Sequence, residues 1–158
     1  MASQLGREWG GEMRIRALPG ALMNKQDMAQ MYRDYLFEEG YAPRIDNDGD
    51  VVFKFEGRTF LIIPDDGDAE FFRLAFPNFW RLESDDERKQ AMLAALNVTA
   101  AIKVAKIFPV RDNMWATIEL FCTPPEAFKP VFGRSLHALN SAVEQFRQSM
   151  QEPPATVN

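Results

Sequence analysis

The apolar positions change period several times along the chain, and each change marks an element. From Asn24 the residues Met28, Met31, Tyr32, Tyr35 and Leu36 recur at spacings of three and four, one stripe of an amphipathic helix. Asn24 suits the N-cap, Asp27 the first turn and Gly40 the left-handed stop, with Pro43 preventing continuation. The period then falls to two. PRID leads into the turn NDGD (47–50), and in VVFKFE the residues Val51, Phe53 and Phe55 oppose Val52, Lys54 and Glu56. Glu56 and Gly57 turn the chain into RTFLIIP, apolar on both faces. DDGD (65–68) turns it again into a fourth strand, Glu70 to Phe76, closed by Pro77 and Asn78.

Helical spacing returns after Ser84, which with Glu87 forms a capping box for a helix to about Ala101. Its small residues Ala91, Ala94 and Ala95 allow close approach to a sheet or a second helix. Two more strands follow, KVAKIFPV and MWATIELFCT, joined by RDN. In the second, Met114, Ala116, Ile118, Leu120 and Cys122 alternate with Trp115, Thr117, Glu119 and Phe121, which indicates a sheet with one face covered and one partly open. Thr123 and Glu126, with Pro124 at the first helical position, predict a second cap. The stripe Phe128, Phe132, Leu136, Leu139, Val143, Phe146 and Met150 marks the last helix, in which Pro130 and Gly133 predict a kink or a short separate first turn. Helix, four strands, helix, two strands and helix make an α+β fold of antiparallel meanders, in the order α-ββββ-α-ββ-α. Residues 24–150 form its one domain. Residues 1–23 read as a flexible arm and residues 151–158 as a disordered tail.

Composition narrows the chemistry. The chain has 158 residues, 46% hydrophobic and 26% charged, the profile of a globular and not a disordered protein, and its formal charge of −5 does not suit a general nucleic-acid binder. A lone cysteine, Cys122, fits a reducing cytoplasm, and no uncharged run reaches the length of a membrane span. His137, the single histidine, falls on the polar face of the last helix, and Cys122 shares the parity of buried neighbours. Neither a Cys–His nucleophile nor a zinc site assembles from them. Asp46, Asp48 and Asp50 have the alternate spacing of a calcium loop, but Val51 and Gly57 stand where that loop needs glycine and glutamate. Turn and cap chemistry accounts for these aspartates, for Asp65, Asp66 and Asp68, and for Asp85 and Asp86. No phosphate-cradling loop is present, and no cofactor or metal is expected.

The aromatics remain. EFFRLAFPNFW (70–80) holds five in eleven positions. Phe72, Leu74 and Phe76 are expected under the helices. Phe71 and Arg73 share the opposite face with Phe108, Trp115 and Phe121, among lysine, threonine and glutamate. Mixed character of this kind describes an interface core with its rim, and it equally describes a surface buried beneath a further helix.

In order and spacing, EEGY (38–41), the DGDVVFKFEG hairpin, FFRLAFPNFW, the SDDERKQAMLAALN helix, and ATIELF before a Pro-Glu cap resemble the YbjN family. Its members are called bacterial sensory transduction regulators, similar in fold to type III secretion chaperones. The resemblance covers residues 24–150. It implies a compact α+β domain without established catalytic residues, related in shape to small acidic dimers that bind extended client segments. The expectation is therefore a cytoplasmic, non-enzymatic binding or regulatory domain, a possible homodimer, engaging a polypeptide through the open face or a strand edge. Phe71, Arg73, Phe108, Trp115 and Phe121 are its candidate contact residues. The alternative is a small-molecule sensor or enzyme with a cleft between sheet and helices.

Overall fold

The computed structural model describes residues 23–151. In chain order they form α1 (Lys25–Glu38), β1 (Arg44–Ile45), β2 (Val51–Phe55), β3 (Arg58–Ile62), β4 (Phe71–Arg81), α2 (Asp85–Ala101), β5 (Ala105–Val110), β6 (Asn113–Phe121), a 3₁₀ turn (Pro125–Phe128) and α3 (Lys129–Gln151). The α+β class and the element order are those the periodicity predicts. The expected arm lies outside the described residues except for Met23, which packs on the core. The expected tail lies outside them except for Gln151, which belongs to α3.

Among the described residues, all strands join one antiparallel sheet in the order β1-β2-β3-β4-β6-β5. β4 and β6 pair from Phe71↔Phe121 to Arg81↔Asn113 and so join the two meanders. Alternation sends Val51, Phe53, Phe60, Ile62, Phe72, Leu74, Phe76, Ala116 and Ile118 to one face, where α1, α2 and α3 cover them. Aromatic contacts bind this layer. Tyr32 meets Phe128 edge-on at 4.8 Å between centroids, and Phe128 stacks on Phe72 at 5.4 Å. Each such ring removes on the order of 150–250 Å² from water, at about 25 cal/mol per Å² of apolar surface. Ala91, Ala94, Ala95 and Val98 are buried on α2, where short side chains let the helix lie close to α3 and β5.

The ends of α1 follow from local chemistry. Asn24 Oδ1 accepts from Asp27 N at 2.9 Å, and Asp27 Oδ2 accepts from Asn24 N at 3.4 Å, closing a capping box. At the other end Gly40 has φ +86°, while Tyr41 N–H donates to Leu36 O and Gly40 N–H to Phe37 O, the paired bonds of a Schellman stop.

Three local expectations are corrected. Pro77 does not end β4. The strand runs on to Arg81 through a bulge, with four steps from Phe76 to Trp80 against two from Ala116 to Met114 on β6. Because a bulge leaves residues outside the ladder, a proline without an N–H fits there, and Asn78 adopts φ +49°. The re-aimed strand brings both Phe79 and Trp80 against Phe146, at 5.1 and 5.9 Å. The Ser84–Glu87 box forms only in part. Ser84 Oγ accepts from Glu87 N at 3.1 Å, but the Glu87 carboxylate accepts from Trp80 Nε1 at 2.8 Å and from Glu83 N at 2.7 Å. The indole and Glu83 N–H therefore occupy the oxygens that a reciprocal box would use. The cap expected at Thr123 is also absent: the 3₁₀ turn starts one residue later, after Pro124, and has no side-chain cap. That turn is the separate first piece foreseen from Pro130, which itself sits in the first turn of α3 where its missing N–H costs no helical bond.

Because the left-handed backbone at Gly40 meets no neighbouring atom that a Cβ would strike, Gly40→Ala isolates the conformational cost. We expect a loss of about 1 kcal/mol in urea unfolding, with an unchanged m-value.

Candidate functional site

The sheet face away from the helices carries every residue that the sequence reading selected. On β4 and β6 the pairs Phe71↔Phe121, Arg73↔Glu119 and Ala75↔Thr117 stand in successive rows, and Phe108↔Trp115 joins β5 to β6. One row crosses the whole sheet as Arg44, Val52, Leu61, Ala75, Thr117 and Lys106. The five candidates thus lie on one surface, but their exposure divides it into two zones.

The central zone is closed. Val52, Leu61, Ile63, Ala75, Val110 and Trp115 form a buried apolar cluster with Phe108 against it. Trp115 is only 1% exposed, and its Nε1–H donates to Asn78 Oδ1 at 2.9 Å. The β4 bulge supplies that acceptor, since the left-handed turn at Asn78 places a side-chain amide beside the indole. Trp115 acts here as interior filling and offers no surface to a partner. Nothing in the sequence around Trp115 distinguishes it from Phe121, which has the same parity on the same strand.

The second zone is open. Phe121 is 72% exposed and its ring lies 5.9 Å from that of Phe71. The Arg73 guanidinium stands over the Phe71 ring at 4.8 Å, a cation–π contact. Glu119 gathers the neighbouring charges: it ion-pairs with Lys106, lies 3.7 Å from Arg73 Nε, and accepts from the Thr117 hydroxyl at 3.1 Å. Glu119 was not among the sequence candidates, although its parity with Trp115 and Phe121 was the available signal. Asp65, in the turn before β4, stands close enough to sense the Arg73 charge. Burial pushes its carboxyl above the ordinary aspartate range, and Arg73 offsets part of that rise. Two cations and two carboxylates balance, so a ligand of this zone would be chosen by apolar contact more than by net charge.

The sheet edges are less receptive than the sequence suggests. On β5 the outward N–H of Ile107 donates to Thr99 Oγ1 at 3.1 Å, and Pro109 has no N–H to offer. β1, at the other edge, has only two residues. A strand added at either edge would find few free backbone groups.

The remaining reactive groups are placed as follows. Burial raises the Cys122 thiol above its ordinary value, and it raises the Tyr32 phenol further, with Cys122 adding to it. His137 is exposed with its ring edge-on to Phe55 at 5.6 Å. Asp46 Oδ1 accepts from the backbone N–H of both Asp48 and Asp50, each at 3.0 Å, which is turn chemistry. Among the described residues, no three His, Cys, Asp or Glu side chains converge so as to hold a metal ion, and no helix is long and apolar enough to cross a membrane.

No protein-family model matches the chain, and no curated protein is significantly similar to it. Among solved structures, it is similar to the crystal structure of an uncharacterized protein from Methanothermobacter thermautotrophicus. The superposition has a TM-score of 0.54 at 16% identity and covers 78% of this chain and 96% of that one. At that identity the likeness shows a shared fold.

Two outcomes follow from the zoning. Trp115→Ala should cost about 3–5 kcal/mol in chemical unfolding, whereas Phe121→Ser should stay within about 0.5 kcal/mol. A raised Asp65 pKa means that the folded chain holds that proton more tightly than the unfolded chain, so its stability contribution declines as pH rises through the raised value. Asp65→Asn should therefore raise the melting temperature at pH 7, with the gain disappearing below pH ~3, where both forms are protonated.

Proposed function

We propose that this chain is a non-enzymatic, cytoplasmic protein-binding domain that holds a polypeptide partner at the Phe71–Phe121 end of its sheet. The observation that carries this reading is the exposure of Phe121, whose ring lies beside that of Phe71 and is rimmed by Arg73, Glu119 and Lys106. An exposed aromatic next to ordered, charge-balanced polar groups has the anatomy of an interface anchor with its rim. Arg73 and Glu119 are already held in place by their neighbours, so docking would freeze little additional side-chain freedom.

The blunted β5 edge and the short β1 favour recognition through side chains over strand addition. A partner segment would lay an apolar residue on the Phe71–Phe121 pair and keep polar groups toward Lys106 and Glu119. The resemblance to YbjN regulators and type III secretion chaperones fits this reading, because it too implies binding without catalysis. A homodimer formed through the same end is the simplest special case.

Affinity capture from native lysate tests the proposal. Phe121→Ser should lower recovery of a saturable partner about tenfold or more, equivalent to about 1.4 kcal/mol or more, without changing the melting temperature. Leu96→Ser, at an exposed apolar position on α2, should leave recovery unchanged. Equal recovery by wild type and Phe121→Ser would remove the basis for this site. A metabolite that raises the melting temperature in a ligand screen, with turnover, would replace the reading altogether.

A further inference from the structure

Helix α2 carries its apolar side chains in an inverted arrangement. Toward the core it presents the short residues Ala91, Ala94, Ala95 and Val98, while both of its leucines, Leu93 and Leu96, face away and are 65% and 67% exposed. Residues three apart are neighbours on a helix surface, so the two leucines make one patch. Asp86, Lys89 and Ala100 extend the same stripe at spacings of three and four, and each is exposed. From Gln90 to Ile102 the chain has no charged residue, although a solvated helix face ordinarily carries several. The stripe also stands clear of its own molecule. Gln90 ties one flank of α2 to the end of α3 and Thr99 ties the other to β5, and neither leucine packs on the core among the described residues.

We infer that this face binds a second copy of the chain, α2 against α2, antiparallel across a twofold axis. The stripe is symmetric in composition about the point between Ala94 and Ala95. Leu93 and Leu96 flank that point. Lys89 stands four residues before Leu93 and Ala100 four after Leu96, and Asp86 stands seven before Leu93 and Lys103 seven after Leu96. In an antiparallel pair Leu93 therefore meets Leu96 of the partner subunit, the Lys89 stem lies over a short alanine, and Asp86 faces an exposed lysine.

Charge selects this orientation. Parallel helices would set Asp85, Asp86 and Glu87 of the two copies side by side and align the two helix dipoles, whereas antiparallel helices bring acid to base and oppose the dipoles. A partner of unrelated sequence would gain nothing from the symmetry, but a twofold contact depends on it. One helix face is smaller than the roughly 800 Å² per partner of a standard interface, so the dimer is a concentration-dependent one. The contact is separate from the Phe71–Phe121 end and does not rest on the reading of that end.

Sedimentation equilibrium of the full chain, from about 10 μM to about 1 mM, tests the inference. The mass of the wild type should rise from that of one chain toward that of two. Leu93→Ser and Leu96→Ser, each with the wild-type melting temperature, should weaken association about tenfold or more. Asp86→Lys and Lys103→Glu should each weaken it about threefold, and the double variant Asp86→Lys/Lys103→Glu should restore it. A wild type that stays monomeric throughout, or association untouched by both leucine variants, would overturn the inference. Association lost with Phe121→Ser but kept in the leucine variants would move the contact to the sheet end and overturn it as well. A double variant weaker than either single reversal would overturn the antiparallel register.

Discussion

The pairing of β4 with β6 is the contact on which the rest of the molecule depends. It joins residues 71–81 to 113–121 across the whole of α2 and β5, and it puts the two longest strands side by side inside the sheet. Because side chains alternate with period two, one register decision there fixes which face each neighbouring residue occupies. Phe72, Leu74 and Ile118 turn toward the helices, and Phe71, Arg73, Glu119 and Phe121 turn away. A slip of one residue would bring the Arg73 and Glu119 charges into the aromatic core.

The bulge at Pro77 and Asn78 modifies that rule at one point and connects the two sides of the sheet. On the helix side it brings Phe79 and Trp80 onto Phe146. On the other side it supplies the amide oxygen that satisfies the Trp115 indole. A buried indole N–H without an acceptor would cost about 1–3 kcal/mol, so the irregularity of β4 is part of what allows a tryptophan to fill the second face. Trp80 makes the parallel choice on the helix side by taking Glu87, which displaces the reciprocal cap that α2 would otherwise have.

The zoning of the outer face separates stability from recognition. Trp115 and its apolar neighbours contribute to folding, whereas Phe121 costs little to keep exposed and little to change. Glu119 sits at the boundary, tied to Thr117 on the buried side and to Lys106 on the open side. A surface built in this way can vary at its anchor without endangering the sheet that carries it.

Much of this was legible from residue pattern alone. Period and turn chemistry located the helices and strands of the described residues, because Asn24, Gly40, Gly49, Gly57 and Ser84 act through backbone conformations set within a few residues. The inward set on β4 and β6 was equally plain, since alternation is a property of the strand itself. What the tertiary structure decided was everything that needs a distant partner: that β4 continues through a proline because β6 lies alongside to receive the bulge, that Glu87 turns to Trp80, and that the edge of β5 is taken by Thr99. Trp115 and Phe121 show the division most clearly. Alternation gave them the same face, but burial is a sum over neighbours far apart in the chain, and only the assembled sheet separated the residue that fills from the residue that is free to bind.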